Sequence, residues 1–141
     1  MRDLDIFQRS RQWLLQSETV WLCTVLETWG SSPRPRGSLL ACNARGEFVG
    51  SLSGGCVEDD LIDRIVSGEF GAPVTRLRYG ATTEEAERLQ LPCGGILAIA
   101  IEKIEPSSVA QKTVTAITDA LQQRRRILWQ RHYPDGYFSL S

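Results

Sequence analysis

The chain has 141 residues, 42% of them hydrophobic and 23% charged, with a formal net charge of -1, a balance suited to one soluble globular domain with a sizeable core. Without a basic excess there is no electrostatic footprint for nucleic acid, and no apolar run approaches the ~18 residues that span a bilayer. Met1–Ile6 lacks the layout of a signal peptide, so a cytoplasmic setting is expected, in which Cys23, Cys42, Cys56 and Cys93 are reduced thiols spaced too widely for zinc knuckles or a ferredoxin-type cluster.

Asp3 to Gln16 reads as an amphipathic helix, with Leu4, Phe7, Leu14 and Leu15 near one face. Thr19 to Trp29 is a nearly continuous apolar run, as expected of a strand covered on both faces, with Cys23 as a small core residue. The loop Gly30 to Gly37 follows, made rigid by Pro33 and Pro35. Ser38–Cys42 and Glu47–Leu52 read as two strands joined by the turn Asn43–Gly46, and Cys42 beside that turn is structural.

After Gly54-Gly55, a helix is expected from the spacing of Val57, Leu61, Ile62, Ile65 and Val66, with Glu58, Asp59 and Asp60 in its first turn and Gly68 as its stop. Val74 to Tyr79 is a short strand, and Thr82 with Glu85 has capping-box spacing for a brief polar helix toward Leu89. Leu91–Gly95 leads into Ile96–Ile101, a buried strand. Pro106 can open a helix that buries Ala110, Val114, Ile117 and Leu121 and ends near Arg124, Arg125 and Arg126. Ile127–Tyr133 and Tyr137–Leu140 form a hairpin around Pro134-Asp135-Gly136. The class is therefore α/β or α+β, a single domain with a mixed β-sheet flanked by helices.

Chemistry concentrates where Gly50-Ser51-Leu52-Ser53-Gly54-Gly55-Cys56-Val57-Glu58 ends a strand and opens a helix. Adjacent glycines can turn their N–H groups toward one point, and a helix N-terminus adds unpaired donors, so the stretch is a candidate anion pocket. The same dipole favours a thiolate, which makes Cys56 a candidate nucleophile or soft metal ligand. The stretch spells neither a P-loop nor a G-x-G-x-x-G fingerprint, which counts against nucleotide hydrolysis and dinucleotide binding. The plainer reading is a tight strand-to-helix connection, and three polar glycine-bearing loops in one chain tilt the balance toward function. Arg34 and Arg36 flank Pro35 and suit a bidentate phosphate clamp, with solvated loop arginines as the alternative. His132 is the sole histidine and sits in the hairpin, so a Ser-His-Asp or Cys-His hydrolase lacks support. Asp59 and Asp60 diverge by ~100° on a helix, which disfavours paired-carboxylate chemistry.

Taken in order, Gly30-Ser31-Ser32-Pro33-Arg34-Pro35-Arg36-Gly37, the Gly50–Glu58 core and Cys93-Gly94-Gly95 before a strand resemble the N-terminal domain of the xanthine dehydrogenase accessory factor family, XdhC/CoxI, across about Val20 to Ile101. The resemblance implies a chaperone domain over residues 1–141 that binds molybdenum cofactor (molybdopterin), assists its sulfuration and inserts it into a xanthine dehydrogenase-like molybdenum hydroxylase. It implies cofactor binding by Ser31, Ser32, Arg34, Arg36, Ser53, Gly54, Gly55, Cys56, Glu58, Cys93, Gly94 and Gly95, with Cys56 and Cys93 toward the metal. A sulfur-donating desulfurase and a second copy of the chain in a homodimer are the further partners it suggests. Family members usually continue into a C-terminal Rossmann domain; these residues contain no such segment, so NAD binding is not carried over. A thiol-based sulfur-transfer or redox enzyme using Cys56 and Cys93 stays open as the alternative.

Overall fold

The computed structural model describes residues 2–29, 37–53, 57–80, 96–123, 129–132 and 137–140. In chain order these form α1 (Asp3–Leu15), β1 (Val20–Trp29), β2 (Leu39–Asn43), β3 (Phe48–Gly50), α2 (Glu58–Val66), β4 (Val74–Tyr79), β5 (Ile96–Ile104), α3 (Ser108–Gln122), β6 (Trp129–His132) and β7 (Tyr137–Leu140). Five strands make one sheet in the order β3-β2-β1-β5-β4, and β6 pairs with β7 as the expected hairpin.

Period-2 alternation sends successive side chains to opposite faces, and both faces of this sheet are covered. Val20, Leu22, Leu39, Ala41 and Ile104 pack with α1 and α3 through Phe7, Leu14, Val114 and Ile117. Trp21, Cys23, Val25, Leu40, Cys42, Ile99 and Ile101 pack with Leu61, Ile62 and Ile65 of α2. Two covered faces are why β1 and the start of β5 read as unbroken apolar runs. Every described ladder is antiparallel, whereas a mixed sheet was expected. The reason is connectivity: α2 carries the chain from edge strand β3 across one face to edge strand β4, and β5 then inserts between β4 and β1.

Helix ends and faces differ in detail from expectation. Ile6 and Trp13 are buried on α1, whereas Leu15 is 51% exposed; on α2, Val66 is 50% exposed. Their neighbours Leu14 and Ile65 are buried, so Leu15 and Val66 lie beyond the edge of the packed face and turn toward solvent. Helix α3 starts after Ser107, whose hydroxyl accepts the Ala110 N–H at 3.1 Å, rather than at Pro106. Strand β5 runs on past Ile101 through Glu102 and Lys103 to Ile104. The expected polar helix from Thr82 and the run Arg124–Arg126 lie outside the described residues.

Candidate functional site at one end of the sheet

The ladders fix where the three glycine-bearing stretches leave the sheet. Trp29, the last residue of β1, pairs with Ile96, the first of β5. Gly37 and Ser38, entering β2, bond back to Val25: the Gly37 N–H donates to the Val25 carbonyl at 2.8 Å, and the Val25 N–H to the Ser38 carbonyl at 2.9 Å. The end of β3, Gly50, pairs with Leu40 near the start of β2, and the Ser51 N–H reaches the Leu39 carbonyl at 3.2 Å. Tyr79, ending β4, pairs with Leu97. An antiparallel sheet therefore places the ends of β1, β3 and β4 and the starts of β2 and β5 at one end. The described residues flanking 30–36, 54–56 and 81–95 all belong to that end.

Just beyond the edge strand β3 stands a buried carboxylate. Glu58, the first residue of α2, turns its side chain back over the preceding segment and is only 4% exposed. Its Oε1 accepts the backbone N–H groups of Leu52 and Ser53, each at 2.8 Å, and lies 3.4 Å from the Ser51 hydroxyl. The Ser53 hydroxyl lies 2.9 Å from Oε1 and 2.8 Å from Oε2, and its oxygen accepts the Val57 N–H at 3.0 Å. Burial alone would raise the Glu58 pKa, but the hydrogen bonds from Leu52 and Ser53 outweigh it and hold the pKa below its ordinary value. Glu58 thus acts as an internal anion toward the N–H groups of Leu52 and Ser53. Of the residues named from the sequence for cofactor binding, Ser53 and Glu58 are brought together here. Ser31, Ser32, Arg34, Arg36, Gly54, Gly55, Cys56, Cys93, Gly94 and Gly95 lie outside the described residues.

Two features of this end went unread in the sequence. A cleft of about 600 Å³ is lined by Leu26, Glu27, Arg76, Leu77, Arg78, Ala98 and Ile99. The register shift between Val25 and Glu27 sets Glu27 opposite Ala98, which also pairs with Arg78. Leu77 packs into the α2 side of the core, so Arg76 and Arg78 project to the other face. The period-2 pattern of Arg76-Leu77-Arg78 carried that information; the bulge that turns Glu27 to the same face had no signal. The second feature is Tyr79, whose hydroxyl donates to Asp60 at 2.9 Å and binds the end of β4 to α2.

The thiols Cys23 and Cys42 are fully buried and free, in keeping with their reading as core residues. Among the described residues, no three of His, Cys, Asp and Glu come together to hold a metal ion, and no helix is long and apolar enough to cross a membrane.

Residues 13–80 match the family model described as XdhC and CoxI family. The resemblance to XdhC/CoxI carried by the loops is thereby shown, over a span that includes Gly30–Gly37 and Gly50–Glu58 and stops before Cys93–Gly95. A molybdenum cofactor insertion chaperone, PaoD, of Escherichia coli is 25% identical over 114 residues, covering 81% of this chain and 34% of PaoD. A Bacillus subtilis protein named as a probable xanthine dehydrogenase subunit is 32% identical over 91 residues, covering 63% of this chain and 27% of that protein. The chain thus spans about a third or less of the length of these curated relatives. A crystal structure described as a xanthine dehydrogenase from Bacillus halodurans superposes with a TM-score of 0.74 at 18% identity, over 100% of this chain and 42% of the other. At that identity the likeness is one of fold, and it spans the whole of this chain.

Proposed function

We propose that this chain is an accessory domain that holds molybdenum cofactor as cargo, assists its sulfuration and passes it to a xanthine dehydrogenase-like molybdenum hydroxylase. The observation that carries the reading is the joint one at the end of the sheet: the residues flanking all three XdhC/CoxI-like stretches stand together there, and one of the similar proteins is a molybdenum cofactor insertion chaperone. Molybdenum is thiophilic, so its protein contact needs an accessible thiol. Cys23 and Cys42 are sealed in the core, which leaves Cys56 and Cys93 for that role. The pterin phosphate calls for N–H donors and guanidinium groups. Because Glu58 takes the N–H groups of Leu52 and Ser53, the phosphate falls to Gly54, Gly55, Gly94 and Gly95 and to Arg34 or Arg36. Partners under this reading are the client hydroxylase and a sulfur-donating desulfurase, and the setting is cytoplasmic.

The test is anaerobic titration of the purified chain with molybdenum cofactor, followed by pterin fluorescence, beside Cys56→Ser and Cys93→Ser. Saturable binding, weakened about tenfold (~1.4 kcal/mol) by either substitution, is expected. A wild-type chain that binds no cofactor, or serine variants that bind as tightly as wild type, would overturn the assignment.

A further inference from the structure

We propose that the cleft on the α1 and α3 side of the sheet is a binding site for a phosphate ester of a 2-amino-4-oxo heterocycle, with Arg76 and Arg78 taking the phosphate and Glu27 reading the amino edge. The space, about 600 Å³, is of the size that encloses a small molecule. Its position follows from register. Glu27 on β1, Ala98 on β5 and Arg78 on β4 stand in one row, and Thr24, Ala100 and Arg76 in the next. Helices α1 and α3 pack on this side over Val20, Leu22 and Ile104, toward the other end of the same strands. Among the described residues this side is open at the first row, where Glu27 and Arg78 are exposed and Ala98 is partly so.

Each wall selects one part of the ligand. Arg76 and Arg78 stand two residues apart on β4, roughly 7 Å, so their guanidinium groups can converge on one anion. Each carries five N–H donors in a planar fork, enough to serve a ligand beside other partners. Glu27 faces them across Ala98, two strand spacings away or roughly 10 Å. A carboxylate on that wall repels a simple polyanion and offers two acceptor oxygens to a pair of N–H donors. The ring N–H and exocyclic amine of a 2-amino-4-oxo heterocycle present such a pair. Leu26 and Ala98 supply apolar surface between the walls, and the small side chain of Ala98 leaves room for a planar ring. The cleft also adjoins the end of the sheet described above: Glu27, Ala98 and Arg78 lie within two residues of Trp29, Ile96 and Tyr79, which end β1, begin β5 and end β4.

A pterin phosphate and a guanine nucleotide share this chemistry. The inference rests on the cofactor reading only for naming the pterin as natural occupant, in which case Arg76 and Arg78 add to the donors already assigned to its phosphate. Calorimetric titration compares guanosine monophosphate, inosine monophosphate, which lacks the 2-amino group, and inorganic phosphate on the wild-type chain, Glu27→Gln and the double variant Arg76→Ala/Arg78→Ala. Molybdenum cofactor is titrated anaerobically on the same proteins by pterin fluorescence. Wild type is expected to bind guanosine monophosphate about tenfold or more tighter than inosine monophosphate or phosphate, and Glu27→Gln to erase that preference. The double variant should lose about tenfold or more on both guanosine monophosphate and the cofactor. A loss confined to the nucleotide makes a guanine nucleotide the occupant of the cleft, and a loss confined to the cofactor makes it the pterin. The three side chains are exposed, and Glu27→Gln, which keeps the side-chain shape, decides the matter if the double variant does not fold. A wild-type chain that binds neither ligand, or folded variants that bind both as wild type does, would overturn the proposal. Cofactor binding that ignores every substitution leaves the accessory reading standing without the cleft; nucleotide binding without cofactor binding does the reverse.

Discussion

Tyr79 donates its phenolic hydrogen to Asp60 across 2.9 Å, joining the last residue of β4 to the first turn of α2. Arg64 completes the tie: it donates to the Tyr79 oxygen at 3.3 Å and to both oxygens of Glu69, at 2.6 and 2.8 Å. Burial first, and then the bond to Asp60, raise the Tyr79 pKa well above that of an ordinary phenol. A group whose folded value is raised contributes stability that is complete below its unfolded value, about 10 for tyrosine, and is lost as pH climbs beyond it. Urea unfolding from neutral pH upward is therefore expected to show wild type losing stability above about pH 10. Tyr79→Phe should start about 1 kcal/mol lower at pH 7 and show a flatter alkaline limb. Identical limbs would mean that the phenol contributes nothing to the tie.

Cys23 and Cys42 sit on neighbouring strands on the side of the sheet that α2 covers. Burial pushes the Cys23 thiol far above its ordinary range and the Cys42 thiol up to about 12. Since the thiolate is the nucleophile, neither should react in the native protein. Treatment with iodoacetamide near neutral pH, followed by peptide mass mapping, is expected to leave both unmodified; guanidinium-unfolded protein should be labelled at both. Native labelling of either would show that the core opens more readily than its packing implies.

Asn43 has the same structural weight at the opposite end of the β2–β3 hairpin. Fully buried, it accepts the Arg45 and Glu47 N–H groups on Oδ1, each at 3.0 Å, and donates Nδ2 to the Glu47 carboxylate at 2.9 Å. Asn43→Ala removes all three bonds. The freed N–H groups lie at a turn that water can reach, so the cost should be about 1 to 2 kcal/mol rather than that of a sealed pair. Hydrogen exchange at Phe48, Val49 and Gly50 should accelerate, because β3 is a three-residue edge strand held on one side only.

Strands covered on both faces were the easiest elements to read, because burial of both side-chain sets removes polar residues from the run, as Val20–Val25 illustrates. The same rule set the end of β5 too early. Glu102 interrupts the apolar pattern, yet it is fully buried inside the strand, and a carboxylate buried in a core is something periodicity cannot anticipate. Leu15 and Val66 obey helical spacing but turn to solvent beside the buried Leu14 and Ile65, at the edge of the packed faces, so spacing alone overestimated their burial. Strand direction was not legible either: antiparallel order arises from β5 entering between β1 and β4, a long-range choice that no local segment encodes.

The candidate site was legible as a set of residue types and not as an arrangement. Glycines beside a cysteine at a helix start marked the stretch, and helical position alone explained Glu58 as an acid in the first turn. That its side chain turns back onto Leu52 and Ser53 depends on the direction in which α2 leaves the sheet, which the spacing of residues 52 to 58 does not state. Convergence of the flanking residues on one end followed only from the pairing registers.

Gly50 links these two levels, because it ends β3 and opens the stretch that Glu58 closes. Its φ is +95°, and a Cβ there would run into the carbonyl oxygen of Leu39 and press on the Leu40 Cα at 3.0 Å. Alanine at this position meets both a disfavoured backbone region and a backbone obstacle that cannot rotate away, so the expected cost is about 2 kcal/mol or more. Gly68 supplies the control: its φ is +88°, but nothing lies within 4 Å of a Cβ built there. Gly68→Ala should therefore cost only the backbone component, about 1 kcal/mol. Urea midpoints for the two variants separate the contributions. If Gly50→Ala proves no more destabilising than Gly68→Ala, the close approach of β2 to Gly50 imposes no constraint, and the entry to the Ser51–Glu58 segment is looser than its hydrogen bonds indicate.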